Sequence, residues 1–190
     1  MKETLKDLGN TALDILLTLI LTLLALHMLL FAAVSVASAQ ELTPDQTVVA
    51  KTILGEARGE GKAGMYAVAC VIAQRAILRN KTPKEVCKQP SQFSFWVKDK
   101  KTTLDDRNRA TVERLMKHDI ESVRYAKALA IHVMKVDRSY TDHADHYCAT
   151  RVSPYWVRGR TPVRIIGNHK FFRINSRVFG ITKSSVLTQP

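Results

Sequence analysis

Ile53-Leu-Gly-Glu-Ala-Arg-Gly-Glu-Gly-Lys-Ala-Gly64 is the stretch from which the rest of this chain can be read. It places one carboxylate, Glu56, at the end of an apolar helical run. A glycine-rich turn follows at once, and then a second apolar run, Met65 to Leu78. Gly59, Gly61 and Gly64 would weaken a helix interior, so they predict backbone that turns sharply or lies close to another group. A carboxylate on that edge is sheltered by two helices yet open on one side. Partial burial favours the protonated carboxyl that a general acid needs.

Upstream, Thr43-Pro44-Asp45-Gln46 has the form of a capping box, with proline at the first helical position. A helix is expected from there to about Ala57, with Val48, Val49, Thr52 and Ile53 as its apolar face. Downstream, Met65 to Leu78 is apolar nearly all round, the pattern of a central core helix. Arg75 and Arg79 fall at its C-terminal end, where cations suit the helix dipole. Thr82-Pro83-Lys84-Glu85 opens a second capped helix, ending near Lys88. Gln89 to Val97 reads as a loop and Lys98 to Arg109 as a solvated excursion. Ala110 to Lys117 and Glu121 to Lys135 read as helices. Val163 to Ile166 and Lys170 to Ile174 are short strands about Gly167-Asn168. The expected class is mainly α with a small β element (α+β).

The totals bound the rest. The chain has 190 residues, is 46% hydrophobic and carries a net charge of +12. Residues 1–39 hold Lys2 and Lys6 against Glu3, Asp7 and Asp14, a net of −1, so the remainder carries +13. Such an excess favours a polyanionic partner. Ile15 to Gln40 contains no Asp, Glu, Lys or Arg, and its 26 residues exceed the roughly 20 that cross a bilayer core. Ala37-Ser38-Ala39 has the small-x-small form of a signal peptidase site. Residues 1–40 are therefore expected to be a signal peptide or membrane anchor, touching the membrane through 15–39. Residues 41–180 form the exported domain and 181–190 a polar tail. Export to the periplasm or cell envelope, tethered or released after cleavage near Ala39, follows. Among three cysteines, Cys70 fits the core pattern, and Cys87 and Cys148 could pair in an exported protein.

The motifs also carry a resemblance. Gly55-Glu-Ala-Arg-Gly-Glu60, Ala67-Val-Ala69 and Arg75, then Gln92-Phe-Ser-Phe95, then Asp145-His-Tyr147, Val152-Ser-Pro154, Trp156, Ile166-Gly-Asn-His169 and Phe171-Phe172 resemble, in order, the SleB-type cell wall hydrolases. The resemblance spans about Val48 to Arg173. It implies a compact lysozyme-like domain acting on peptidoglycan glycan strands, as a monomer and without a cofactor, and it makes Glu56 the essential acid. Where the family usually has a histidine after this tyrosine, the chain has Cys148. Phe95, Tyr147 and Trp156 are candidates for stacking on sugar faces; each could instead be a core aromatic, Phe95 above all. His146 and His169, in the matching C-terminal block, complete the substrate-binding candidates.

Most glycosidases use two carboxyls about 5–9.5 Å apart. Glu60 is the obvious second one, but Gly59 and Gly61 break the helix and leave it a surface residue beside Arg58 or Lys62. A single acid suits a lytic transglycosylase, in which the muramic acid C6 hydroxyl attacks C1 within the same sugar. Hydrolysis stays open. Two rivals belong to other classes. Asp142, His143, Asp145, His146 and Cys148, with His169, could ligate zinc in a wall amidase or peptidase. Alternatively, the chain is a non-catalytic basic envelope-binding protein. Nucleic acid is not an expected partner: no helix interleaves basic residues with stacking aromatics.

Overall fold

The computed structural model describes residues 15–28, 41–97 and 103–175. Two units divide the chain, Met1–Glu41 and Leu42–Pro190. In the first, residues 15–28 form helix α1. No helix of the described residues is long and apolar enough to cross a membrane. The rest of the segment expected to reach Gln40, including Ala37-Ser38-Ala39, lies outside the described residues, as does the 181–190 tail.

The second unit is mostly helical. Its helices are α2 (Pro44–Ala57), α3 (Gly61–Arg79), α4 (Pro83–Lys88), α5 (Thr103–Leu115) and α6 (Glu121–Ile131). A three-stranded antiparallel sheet of β1 (His146–Ala149), β2 (Arg164–Ile166) and β3 (His169–Phe172) is ordered β1-β3-β2. The α+β class expected from the sequence is the class observed. Both capping boxes form: Thr43 with Gln46 opens α2, and Thr82 with Glu85 opens α4. Each satisfies two backbone donors that a helix start leaves unpaired.

Helix α3 is the axis of the domain. Every residue from Ala67 to Ala76 is buried, which its all-round apolar run requires. Helices α2, α4 and α6 pack on it, and β2 approaches it from the other side. Ile53, Leu54, Val68, Ile72, Phe93, Phe95 and Val123 lie in the main core, each fully buried side chain contributing about 1.5–3 kcal/mol.

Arg75 is not the dipole-complementing surface cation its position predicts. It is only 4% exposed. Its Nε donates to the Asp145 carbonyl at 2.6 Å and its Nη1 to the Gln92 carbonyl at 3.2 Å, with the guanidinium over the Phe93 ring. A rigid fork of donors thereby joins two distant loops to one helix.

Three further differences from the sequence reading have local causes. Helix α3 begins at Gly61 rather than Met65, because Gly64 has no side chain to obstruct Glu60, which folds over the first turn. Residues 103–109 belong to α5 rather than to a solvated excursion. Asn108 Nδ2 donates to the Gly55 carbonyl at 3.0 Å, and Arg109 Nη1 to that of Val97 at 2.8 Å, so tertiary bonds hold a segment without an apolar stripe. Finally, β1 forms within what read as loop, because β3 supplies its ladder, pairing Tyr147 with Phe171.

Asp145 anchors the start of β1. Its buried carboxylate accepts the N–H groups of Ile174 at 2.7 Å and Asn175 at 3.0 Å and lies 3.2 Å from His146 Nδ1. Burial alone would push this carboxyl up; the His146 side chain and the two N–H groups outweigh it and hold it at about 2. The unfolded carboxyl titrates near the ordinary ~3.9, so its stabilisation is complete above that value and lost as pH falls through about 2. Thermal unfolding followed from pH 5 to pH 2 should lose about 2 kcal/mol that Asp145→Asn does not lose over the same range. Parallel acid slopes for the two proteins would contradict the anchoring role.

Candidate active site

Glu56 lies in the last turn of α2, as the sequence predicts, and three donors converge on it. Its Oε1 accepts from the Ser94 hydroxyl at 3.0 Å and the Phe95 backbone N–H at 2.8 Å. Its Oε2 accepts from the Tyr147 hydroxyl at 2.9 Å. The donors come from the 3-10 turn Ser94–Trp96 and from β1, so three separate elements set one carboxylate rotamer.

Each donor is itself braced. Arg75 ties the chain just before both loops. Arg109 holds the far side of the turn, and Trp96 Nε1 donates to Thr52 Oγ1 at 2.8 Å, fastening the turn to α2. The Tyr147 ring stands edge-on to His169 at 5.2 Å and tilted on Phe171 at 5.7 Å. Burial, reinforced by the Glu56 charge, pushes its phenol well above the ordinary tyrosine value, so its proton stays available to Glu56 over the working pH range.

Two clefts meet at this carboxylate. One, of about 450 Å³, is lined by Glu56, Glu60, Ala149, Thr150, Arg151, Asn168 and His169. The other, of about 350 Å³, is lined by Gly55, Glu56, Arg58, Gly59, Glu60 and Asn108. Glu56 therefore sits between two open volumes that an extended ligand could fill together.

Glu60 shares both clefts and does not pair with Arg58 or Lys62. It clamps the β2–β3 turn: Oε2 accepts the Asn168 N–H at 2.8 Å and Oε1 the Asn168 side-chain amide at 3.2 Å. A Cβ at Gly64 or at Gly167 would collide with Glu60. Two glycines on opposite elements thus make room for one carboxylate, a close-approach use of glycine. The Asn168 backbone bond is the main cause that draws the Glu60 carboxyl below the usual glutamate value, so it is an anion at neutral pH.

The substrate-binding candidates separate. Tyr147 bonds Glu56, and His169 lines the larger cleft with it. Phe95 is fully buried, and its contribution is the backbone N–H, not a stacking face. His146 points from the opposite face of β1 to Tyr147, as strand alternation requires. It packs near Trp156, ring centroids 5.4 Å apart, and Trp156 in turn stands edge-on to Phe172 at 5.5 Å. Neither lines either cleft. Ser94, Asn168, Arg151 and Asn108 bond Glu56 or Glu60 or line the same clefts and were not among the residues expected there. Two of them had a signal: Ser94 lies inside the quoted Gln92-Phe-Ser-Phe95, and Asn168 inside Ile166-Gly-Asn-His169.

The metal-ligand candidates do not gather. Among the described residues no three His, Cys, Asp or Glu side chains form a group able to hold an ion. Asp142 pairs with Arg173 and Asp145 with backbone donors, while His143 is exposed. Cys70, Cys87 and Cys148 are free and buried, so Cys87 and Cys148 are unpaired. Burial pushes the Cys70 and Cys87 thiols up to about 12, leaving them inert core groups.

A family model described as Cell Wall Hydrolase matches residues 59–172, more than half of the chain, beginning three residues after Glu56. No curated protein and no solved structure matches the chain. The matched stretch carries α3, the Ser94–Trp96 turn and all three strands, the parts that surround Glu56, and the chain belongs to the cell wall hydrolase family.

Proposed function

We propose that this cell wall hydrolase cleaves the glycosidic bond between N-acetylmuramic acid and N-acetylglucosamine as a lytic transglycosylase, with Glu56 as its general acid and base. The observation that carries the reading is the asymmetric bonding of Glu56. Oε1 is occupied by two fixed donors, which leaves Oε2 as the oxygen that exchanges a proton beside Tyr147. Protonated Oε2 gives its proton to the bridging oxygen as the bond to muramic C1 breaks. The resulting carboxylate takes the proton of the C6 hydroxyl as that oxygen attacks C1, closing a 1,6-anhydro ring. No water is consumed, and the intramolecular nucleophile is held close by the sugar itself. The Glu60 anion, lining the same clefts, faces the positive charge that grows at the sugar ring.

Hydrolysis would need Glu60 to position a water or to attack C1. Both of its oxygens already accept from Asn168, which favours the lyase. The uncharged segment 15–40 and the basic remainder support export toward an anionic envelope. Mass spectrometry of the products from purified peptidoglycan tests the assignment. The expected products end in anhydromuramic acid. Reducing ends would convert the reading to a muramidase, and freed peptide stems would overturn it in favour of an amidase.

A further inference from the structure

Ion pairs are distributed unevenly over this domain. On the helical side Lys51, Lys62, Lys84, Arg109 and Arg124 each meet a carboxylate. From Thr150 to Asn175 there is no Asp or Glu, against Arg151, Arg158, Arg160, Arg164, Lys170 and Arg173. Of these six cations only Arg173 has a carboxylate partner among the described residues, Asp142. The segment is a strip of cations left without anions of its own.

Arg151 is the member of that strip that lines the larger cleft with Glu56 and Glu60. Its side chain is exposed and makes no hydrogen bond or ion pair among the described residues, with either glutamate or with any other group. Its backbone, by contrast, is fixed. The Thr150 N–H donates to the Asn168 carbonyl at 2.8 Å, and the Val152 N–H to that of Ala149 at 3.0 Å. A guanidinium on an anchored turn, unclaimed by the protein and facing the substrate volume, is suited to grip a carboxylate through two parallel bonds.

The anion follows from the substrate chemistry, so this step rests on the glycan-cleaving reading above. The sugar rings of a peptidoglycan strand are neutral. The negative groups nearest the muramic residue are the carboxylates of the peptide stem carried on its lactyl ether. We propose that Arg151 binds a stem carboxylate beside the bond that is cut, so that the enzyme selects strands bearing peptide stems with free carboxylates.

The test compares kcat/KM on purified peptidoglycan before and after its carboxylates are converted to carboxamides, for the full chain and for Arg151→Gln and Arg151→Lys. The unaltered enzyme should lose about tenfold on amidated wall, the scale of one charged hydrogen-bonded contact. Arg151→Gln should cleave both substrates at the same rate, and Arg151→Lys should keep part of the difference. An unaltered enzyme indifferent to amidation overturns the proposal. So does an Arg151→Gln enzyme that is slower on both walls yet keeps the tenfold ratio, since Arg151 would then act on the glutamates rather than on substrate. Mass spectra of the same digests separate this failure from failure of the glycosidic reading: the first alters only rate ratios, the second the bond that is cut.

Discussion

Glu56→Gln is expected to fold normally and to lose wall-cleaving activity by at least about 10²–10⁴-fold, the usual contribution of a positioned acid–base group. The amide has the shape of the carboxyl. Its oxygen can keep the Ser94 hydroxyl and the Phe95 N–H that now bond Oε1. At the other position an NH₂ replaces the oxygen that accepts from Tyr147. The phenol can rotate and accept from that amide, since a tyrosine hydroxyl does both. One bond reverses direction and none is lost, so the unfolding temperature should move by no more than about 2 °C. The amide cannot give a proton to a leaving oxygen or take one from the C6 hydroxyl. Glu56→Ala is a different experiment: it strands the three donors in a partly closed site, at about 1–3 kcal/mol for each that stays dry, and mixes instability with lost chemistry. Release of wall fragments and thermal unfolding, measured side by side on Glu56→Gln, separate the two. Near-normal turnover by this variant would remove Glu56 from the mechanism.

What the sequence disclosed of this fold is what local chemistry controls. Both capping boxes are contained in four consecutive residues, and α3 is marked by an apolar run that only a core can accept. The β2–β3 hairpin is marked by Gly167-Asn168 between two short apolar runs. β1 escaped notice because His-Tyr-Cys-Ala has no clear alternation and its partner strand begins twenty residues after it ends. The first half of α5 was not legible because its reason for being helical lies in Asn108 and Arg109, which bond to Gly55 of α2 and to Val97 at the end of the Ser94–Trp96 turn. The site divides in the same way. Glu56 was legible from its place at a helix end and from the resemblance of its neighbours to a known signature. Tyr147 was legible as a residue but not as the hydroxyl on Glu56, a bond across 91 positions. The Glu60–Asn168 clamp, across 108, left no local trace. Phe95 illustrates the limit best. Its ring is what marks it in the sequence, while it is its backbone N–H that reaches Glu56.

Gly55→Ala should destabilise the protein and slow it together, against the helix-propensity expectation. Gly55 is inside α2 with an ordinary helical backbone, and at an open helix site the exchange would gain about 1 kcal/mol. Here the new methyl would collide with ring carbons Cγ and Cδ2 of Phe95 and stand 3.0 Å from its Cβ. The ring cannot yield cheaply. It is fully buried and packed edge-on against Trp96 at 4.7 Å, in an interior as dense as an organic crystal. Overpacking of this kind costs about 1–3 kcal/mol, so the net change is a loss, read as a fall of roughly 5 °C in unfolding temperature. Relief comes by pushing the Ser94–Trp96 turn away from α2, and that turn carries both donors to Glu56 Oε1. A displacement near 1 Å there should reduce turnover by about 10²-fold. Two controls make the prediction specific. Gly59→Ala, where an added Cβ meets nothing within 4 Å, should leave the unfolding temperature nearly unchanged. Phe95→Leu placed on the Gly55→Ala background should recover part of the lost stability, since the pair shares one volume and their effects cannot add. A Gly55→Ala protein that melts higher than the unaltered chain would mean that Phe95 does not occupy the notch in α2. The path from that notch through the Phe95 N–H to the acid would then have to be abandoned.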